Sequence, residues 1–281
     1  MTNFKLIVTG KCNWTCDYCF RKEDNPVSEI SNSAQINNRI VKYAELIKSL
    51  TDNILITGGE PGLMKPLMLE FLFNSFKDMK VFRFATNGAW FKTPSFNKYK
   101  HLDNLHVLYH CVQDLNCDIE YESVDLKSVK HTFVIVEDNL NDVQGFLLRY
   151  PNITFYPLFD LRKRTEPAKK FYSDVYDALL PFDNIPDQIK ESARVMSGND
   201  TDWVEGCIKK KPLRYRIDFV KNEITTCCVP QVGIEINEDN LIKIANKEID
   251  LPLDERVCNF CVVRWLNRSK TGDISDPIPV D

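Results

Sequence analysis

From Phe4 to Asp160 the apolar side chains recur in two alternating rhythms. Short runs rich in β-branched and aromatic residues, FKLIVT at 4–9, NILIT at 53–57, then 81–85, 105–109, 131–136 and 153–158, predict strands. Between them Ile36, Ile40, Val41, Ala44, Ile47 and Leu50 fall at helical spacing, with Ser31 and Ser33 offering N-cap hydroxyls. Leu69, Leu72, Phe73 and Phe76 repeat that spacing over 66–78, and a further helix is expected over 141–150. Six strands alternating with helices predict an α/β fold built on a parallel sheet or barrel, because parallel strands need crossover connections. Such folds carry their chemistry in the loops at the carboxyl ends of the strands. Here the first strand ends at Gly10, just ahead of Cys12, and the second ends at Gly58 and Gly59.

After Leu161 the rhythm changes. Pro167, Pro181 and Pro186 punctuate a polar, partly helical stretch, and from Trp203 onward strand pairs and cysteines dominate. This places a domain boundary near residue 200, with one domain over 1–200 and a small α+β module over 201–281. Within the module, 214–220 and 224–227 read as a hairpin around Lys221, Asn222 and Glu223, a turn that lacks the favoured glycine.

Composition narrows the picture. At 281 residues, with 43% hydrophobic and 27% charged residues, the chain can bury a substantial core and has no disordered or collagenous bias. No run approaches the roughly 18 apolar residues of a membrane span, so a cytoplasmic protein is expected. A net charge of -4 offers no basic field for nucleic acid, and the runs Arg162–Arg164 and Lys209–Lys211 read as solvated faces. Ten cysteines are too many for an average cytosolic enzyme and lack the layout of a secreted disulfide scaffold, which points to metal or cluster ligation. Cys111 and Cys117 lie outside the clustered sets and read as small core hydrophobes.

The segment CNWTCDYC sets Cys12, Cys16 and Cys19 in C-x3-C-x2-C spacing. Three thiolates on a four-iron cubane leave one iron open, which separates a reactive site from a closed structural one. Zinc is the alternative, although a structural zinc site wants four ligands and no histidine lies nearby. With Tyr18 before the last cysteine, this loop resembles the signature of the radical S-adenosylmethionine superfamily, and GGEP at Gly58–Pro61 resembles its second motif.

The resemblance implies a partial (β/α)6 TIM-like barrel in which Cys12, Cys16 and Cys19 hold a [4Fe-4S] cluster. It implies that Gly58, Gly59, Glu60 and Pro61 bind the methionine end of S-adenosylmethionine, with Tyr18 beside the adenine and Phe20 as a further wall. The run FATNGA resembles the family's third strand and adds Thr86 and Asn87 to the cofactor site. The fourth strand departs from the family pattern. It reads LYHCVQD, so that Tyr109, His110 or Gln113 stands in for the usual ligand contact, with His110 the candidate for proton chemistry.

Cys207, Cys227 or its neighbour Cys228, and the C-x2-C pair Cys258 and Cys261 form a second set. Their arrangement resembles the Twitch half of the SPASM/Twitch extension and implies an auxiliary [4Fe-4S] cluster; Ile224 favours Cys227, and a four-cysteine zinc ribbon is the alternative. The function implied is an oxidoreductase or epimerase acting on a small molecule, with Arg162 and Arg164 as candidate catalytic residues and a flavodoxin or ferredoxin as electron donor. The alternatives are modification of a ribosomally made peptide and a non-catalytic iron-sulfur or zinc protein. The first strand begins at residue 4, which leaves no peptide-recognition domain ahead of it and favours the small molecule.

Overall fold

The computed structural model describes residues 3–19, 33–119, 126–159, 167–197, 214–225 and 233–249. In chain order the elements are β1 (Asn3–Thr9), α1 (Ser33–Leu50), β2 (Asn53–Gly58), α2 (Pro66–Phe76), β3 (Val81–Thr86), α3 (Pro94–Tyr99) and β4 (Leu105–His110). They continue with β5 (Val129–Ile135), α4 (Val143–Arg149), β6 (Phe155–Phe159), α5 (Pro167–Leu179), α6 (Asp187–Ser197), β7 (Arg214–Asp218), β8 (Glu223–Thr225), β9 (Ile234–Glu235) and α7 (Glu238–Ala245). All six predicted strands are present. The helix expected over 141–150 is shorter, because a 3-10 segment over Glu137–Asp142 precedes α4.

The described residues divide into two compact units that do not follow chain order: 3–19, 33–110, 126–129, 214–225 and 233–249, and 111–119, 130–159 and 167–197. In the first unit β1, β2, β3 and β4 run parallel side by side. Alternation fixes which side chains share a face. Phe4, Ile54 and Phe82 stand in register on the face that Phe73 of α2 covers, its ring 5.2 Å from that of Phe82. The opposite face carries the cross-strand row Arg216, Lys5, Leu55, Arg83 and His106. Leu55, Ala85 and Leu108 form a buried apolar cluster on it.

The hairpin assigned from sequence to the C-terminal module belongs to this same sheet. β7 pairs parallel with β1, and β8 returns antiparallel with Ile217 opposite Ile224. Asn222 supplies the left-handed conformation at φ 60° that a glycine would ordinarily take, since asparagine tolerates that region better than most side chains. Asp218, fully buried, steadies the turn: one carboxylate oxygen accepts from the N–H groups of Val220 and Lys221, and the other pairs with the buried Arg216 at 2.8 Å. Arg39 of α1 donates to the Phe219 carbonyl at 3.0 Å, and the Tyr43 hydroxyl donates to the Ile236 carbonyl at 3.4 Å, so α1 clasps the hairpin and the strand after it.

In the second unit β5 and β6 run parallel, and Phe133, Phe146 and Phe155 pack their rings edge-on or tilted at 5.0–5.6 Å. The amphipathic helices α5 and α6 pack together, burying Val175, Leu179, Ile189 and Ala193. Cys111 is buried as expected, and burial pushes its thiol up to about 12. Cys117 is exposed rather than part of the core, because it sits on a turn closed by its N–H to the Asp114 carbonyl. Among the described residues no helix is long and apolar enough to cross a membrane.

Candidate active site

The cysteine loop leaves the carboxyl end of β1, and the Gly58–Pro61 loop leaves the carboxyl end of its neighbour β2. Backbone bonds stitch the two together. Gly59 N–H donates to the Thr9 carbonyl and Glu60 N–H to the Lys11 carbonyl, both at 2.7 Å. That closeness is why glycine is needed. Gly58 sits at φ +149°, and a Cβ there would run into the Thr9 carbonyl, while one on Gly59 would strike the Lys11 carbonyl. Thr9 also accepts the Lys11 N–H on its hydroxyl at 3.1 Å, which turns the chain into the cysteine loop.

Glu60 is the inner post of the site, only 1% exposed. It caps the 3-10 turn Pro61–Leu63, with Pro61 in the first position where no N–H is missed. One carboxylate oxygen accepts from Gly62 N–H at 2.6 Å and the Thr86 hydroxyl at 2.9 Å, and the other from Asn87 N–H at 2.5 Å. Burial pushes its carboxyl above the usual range, and these three donors oppose the shift. The end of β3 is thereby fastened to the loop of β2.

Asn87 carries the link to the cysteines. Its side-chain amide donates to the Asn13 side chain at 2.9 Å and to Cys12 Sγ at 3.8 Å. Cys12 Sγ also accepts the Trp14 N–H at 3.4 Å, and Cys19 N–H donates to the Cys16 carbonyl at 3.1 Å. None of the three cysteines forms a disulfide, and each is half-buried. Burial raises the Cys12 and Cys16 thiols above their ordinary values, a hydrogen bond from Tyr18 opposing the shift at Cys16. Desolvated sulfurs with N–H donors aimed at them suit a cationic iron-sulfur group, which supplies the positive charge that the thiolates need. Among the described residues no three His, Cys, Asp or Glu side chains converge on a single metal ion. A cubane sets no such requirement, since it takes its three protein ligands on three different irons.

His110 lies at the carboxyl end of β4, partly exposed, and burial together with the nearby Lys5 ammonium lowers it to about 4. It is therefore a neutral imidazole at neutral pH. Tyr109 points to the opposite face and meets Phe91 edge-on at 5.0 Å, while Gln113 is exposed. Phe20, Arg162, Arg164, Cys207, Cys227, Cys228, Cys258 and Cys261 lie outside the described residues.

The sequence reading missed Thr9, Lys11 and Asn13. Lys11 acts through its backbone carbonyl, for which any side chain would serve, whereas Thr9 acts through its carbonyl and through the hydroxyl that accepts the Lys11 N–H. Asn13 acts by meeting Asn87, a contact 74 residues apart that only the fold creates.

Residues 6–149, a little over half of the chain, match the Radical SAM superfamily, and this segment contains both loops and Asn87. The chain belongs to the radical SAM superfamily. The family implies an enzyme with a [4Fe-4S] cluster and S-adenosylmethionine. The chain is 45% identical over 69 residues to a probable GTP 3′,8-cyclase of Archaeoglobus fulgidus, covering 24% of this chain and 22% of that one. It is 25% identical over 153 residues to a GTP 3′,8-cyclase of Staphylococcus saprophyticus, covering 52% of this chain and 44% of that one. The matches thus span less than half of either curated relative. Among solved structures, Streptococcus suis SuiB bound to S-adenosylmethionine aligns with a TM-score of 0.56 at 14% identity, over 90% of this chain and 66% of SuiB. SuiB bound to its precursor peptide SuiA aligns at 0.55 and 12% identity, over 93% of this chain and 71% of SuiB. At such identity the likeness is one of fold, a mixed α/β architecture with a parallel sheet.

Proposed function

We propose that this radical SAM protein holds a [4Fe-4S] cluster on Cys12, Cys16 and Cys19, binds S-adenosylmethionine against Gly58–Pro61, and oxidises or epimerises a small molecule. When bound, the cluster would pass one low-potential electron from an external donor to S-adenosylmethionine, which would give methionine and a 5′-deoxyadenosyl radical able to take hydrogen from a substrate C–H bond. The observation that carries this reading is the stitching of the cysteine loop to the glycine loop at the Thr9 and Lys11 carbonyls. The protein's own part is preorganisation. The Gly58 and Gly59 backbone lets a charged amino acid approach closely, and Glu60 holds that backbone and the end of β3 in one geometry, while Tyr18 and Phe20 are assigned as walls for the adenine. His110, held neutral, serves as a hydrogen-bond partner of the substrate or as a weak proton acceptor, not as a general acid.

Arg162 and Arg164, after β6, are assigned to the substrate side of the site. Cys207, Cys227, Cys258 and Cys261 are assigned to a Twitch-like auxiliary [4Fe-4S] cluster carried by the segment 201–281, whose β7–β9 extend the sheet of β1–β4, with Cys228 as the alternative to Cys227. In support, Ile224 lies on β8, three residues before Cys227, the spacing that selects Cys227 over Cys228. A flavodoxin or ferredoxin in the cytoplasm is the electron donor in this reading. Both curated relatives bear the name of a reaction on GTP, a small molecule, which supports a small-molecule substrate over a peptide.

The test is anaerobic incubation of the reconstituted protein with S-adenosylmethionine and a strong reductant, in the presence and absence of nucleotide or peptide candidates. Production of 5′-deoxyadenosine by the wild type and none by Cys16→Ala is expected. Equal traces from both proteins would overturn the proposal.

A further inference from the structure

A thiolate that holds a cluster carries more negative charge when the cluster is reduced, so an N–H donor aimed at its sulfur stabilises the reduced form and raises the reduction potential. Asn87 is built for this. Its carbonyl oxygen accepts the Ala89 N–H at 3.3 Å, and its amide nitrogen donates to Asn13 Oδ1 at 2.9 Å and reaches Cys12 Sγ at 3.8 Å. These partners fix the direction of the amide. Turned over, it would set its oxygen against Asn13 Oδ1 and its NH2 against the Ala89 N–H, losing both bonds. The backbone beneath it is equally constrained. Asn87 N–H donates to the buried Glu60 carboxylate at 2.5 Å, Thr86 donates to the same carboxylate at 2.9 Å, and Gly88 N–H returns to the Thr86 hydroxyl at 3.1 Å.

We propose that Asn87 is a tuning residue which donates its side-chain N–H to the Cys12 sulfur and so sets the reduction potential of the cluster higher than the thiolates alone would give. The inference rests on Cys12 being a cluster ligand. Glu60 acts as a positioning residue in the same device: its hydrogen bonds go to Gly62, Thr86 and Asn87, and through the last it holds the Asn87 backbone and hence the direction of the amide. This gives the third strand's Thr-Asn pair a task at the cluster itself, beyond contact with S-adenosylmethionine.

The experiment is a potentiometric titration of the reconstituted full chain, followed by electron paramagnetic resonance of the reduced cluster without S-adenosylmethionine. Asn87→Leu removes the donor, and Asn87→Asp keeps the shape while replacing the donor with a carboxylate. With four irons retained on the first cluster, both variants are expected to show a more negative midpoint. In Asn87→Leu the reduced-to-oxidised ratio at fixed potential should fall up to about tenfold, which is about 59 mV for a one-electron couple. An unchanged midpoint in Asn87→Leu would overturn the proposal. So would loss of this cluster from both variants, because Asn87 would then be scaffold for the loop rather than a tuner. A wild-type protein whose iron does not depend on Cys12, Cys16 and Cys19 would instead sink the cluster assignment, and the two failures are thereby distinguished.

Discussion

Glu60 and Asn87, 27 residues apart in the chain, are joined by a 2.5 Å hydrogen bond from the Asn87 N–H to the Glu60 carboxylate. Through this bond the ends of β2 and β3 share one buried carboxyl group, and the cysteine loop leans on the same Asn87. Replacing Glu60 by Ala strands the N–H groups of Gly62 and Asn87 and the Thr86 hydroxyl. A destabilisation of about 2–4 kcal/mol is expected, read by anaerobic urea denaturation, together with loss of 5′-deoxyadenosine formation. A change below about 1 kcal/mol would show that the bracket bears little.

The same carboxylate has a pH signature. Its folded value lies above the ordinary 4.5, mainly through burial, so the folded protein binds this proton more tightly than the unfolded chain. Its contribution to stability is fullest below about 4.5 and is lost as pH rises through the folded value. Glu60→Gln should remove that downward slope when its stability is subtracted from the wild type across the acidic range. Parallel curves would contradict the assigned shift.

His110 gives the opposite slope. Its folded value of about 4 lies below the ordinary 6.5, so unfolding takes up a proton between these values. Stability from this group is complete above 6.5 and falls as pH drops toward 4, by about 3 kcal/mol. Histidine NMR in the folded protein should show the His110 ring staying neutral at pH 5.5. A ring assigned to His110 that titrates near 6.5 would remove the basis for excluding it as a general acid.

The strands and the two site loops were legible in sequence because period-2 apolar runs and glycine breaks are local signals. The C-x3-C-x2-C and GGEP spacings are local as well, and both landed at adjacent strand ends. Pairing is not local. Nothing in RYRID announces that β7 lies parallel to β1, although the hairpin turn around Asn222 was legible without a glycine. Cys117 misled because cysteine is usually buried, whereas its neighbours Asn116 and Asp118 mark an exposed turn. Asn87 was picked by its resemblance to a family strand, but its contact with Cys12 depends on Glu60 and Asn13, which sequence spacing does not bring together.

Gly58 and Gly59 make a prediction about side-chain size alone. Gly58→Ala places a Cβ against the Thr9 carbonyl in a conformation at φ +149° that L side chains rarely adopt. A cost of about 2–3 kcal/mol is expected, with the bonds from Gly59 and Glu60 to Thr9 and Lys11 distorted. Gly59→Ala meets the Lys11 carbonyl without the left-handed strain, and should spare more stability while still abolishing S-adenosylmethionine binding in equilibrium dialysis. If both variants bind as the wild type does, the glycine loop is not the binding surface.

The two cysteine sets separate cleanly by iron count. Replacing Cys12, Cys16 and Cys19 together by Ala removes every proposed ligand of the first cluster and touches no cysteine after residue 200. If Cys207, Cys227, Cys258 and Cys261 form a closed four-thiolate site, about four irons per chain should survive, with the absorption of a cluster that S-adenosylmethionine does not perturb. The additional change Cys227→Ala should then release them, whereas retention with Cys227→Ala and release with Cys228→Ala would move the ligand by one position. Zinc in place of iron in the triple variant, after anaerobic reconstitution with iron and sulfide, would identify the second site as a four-cysteine zinc ribbon and leave the catalytic loop as the chain's single cluster.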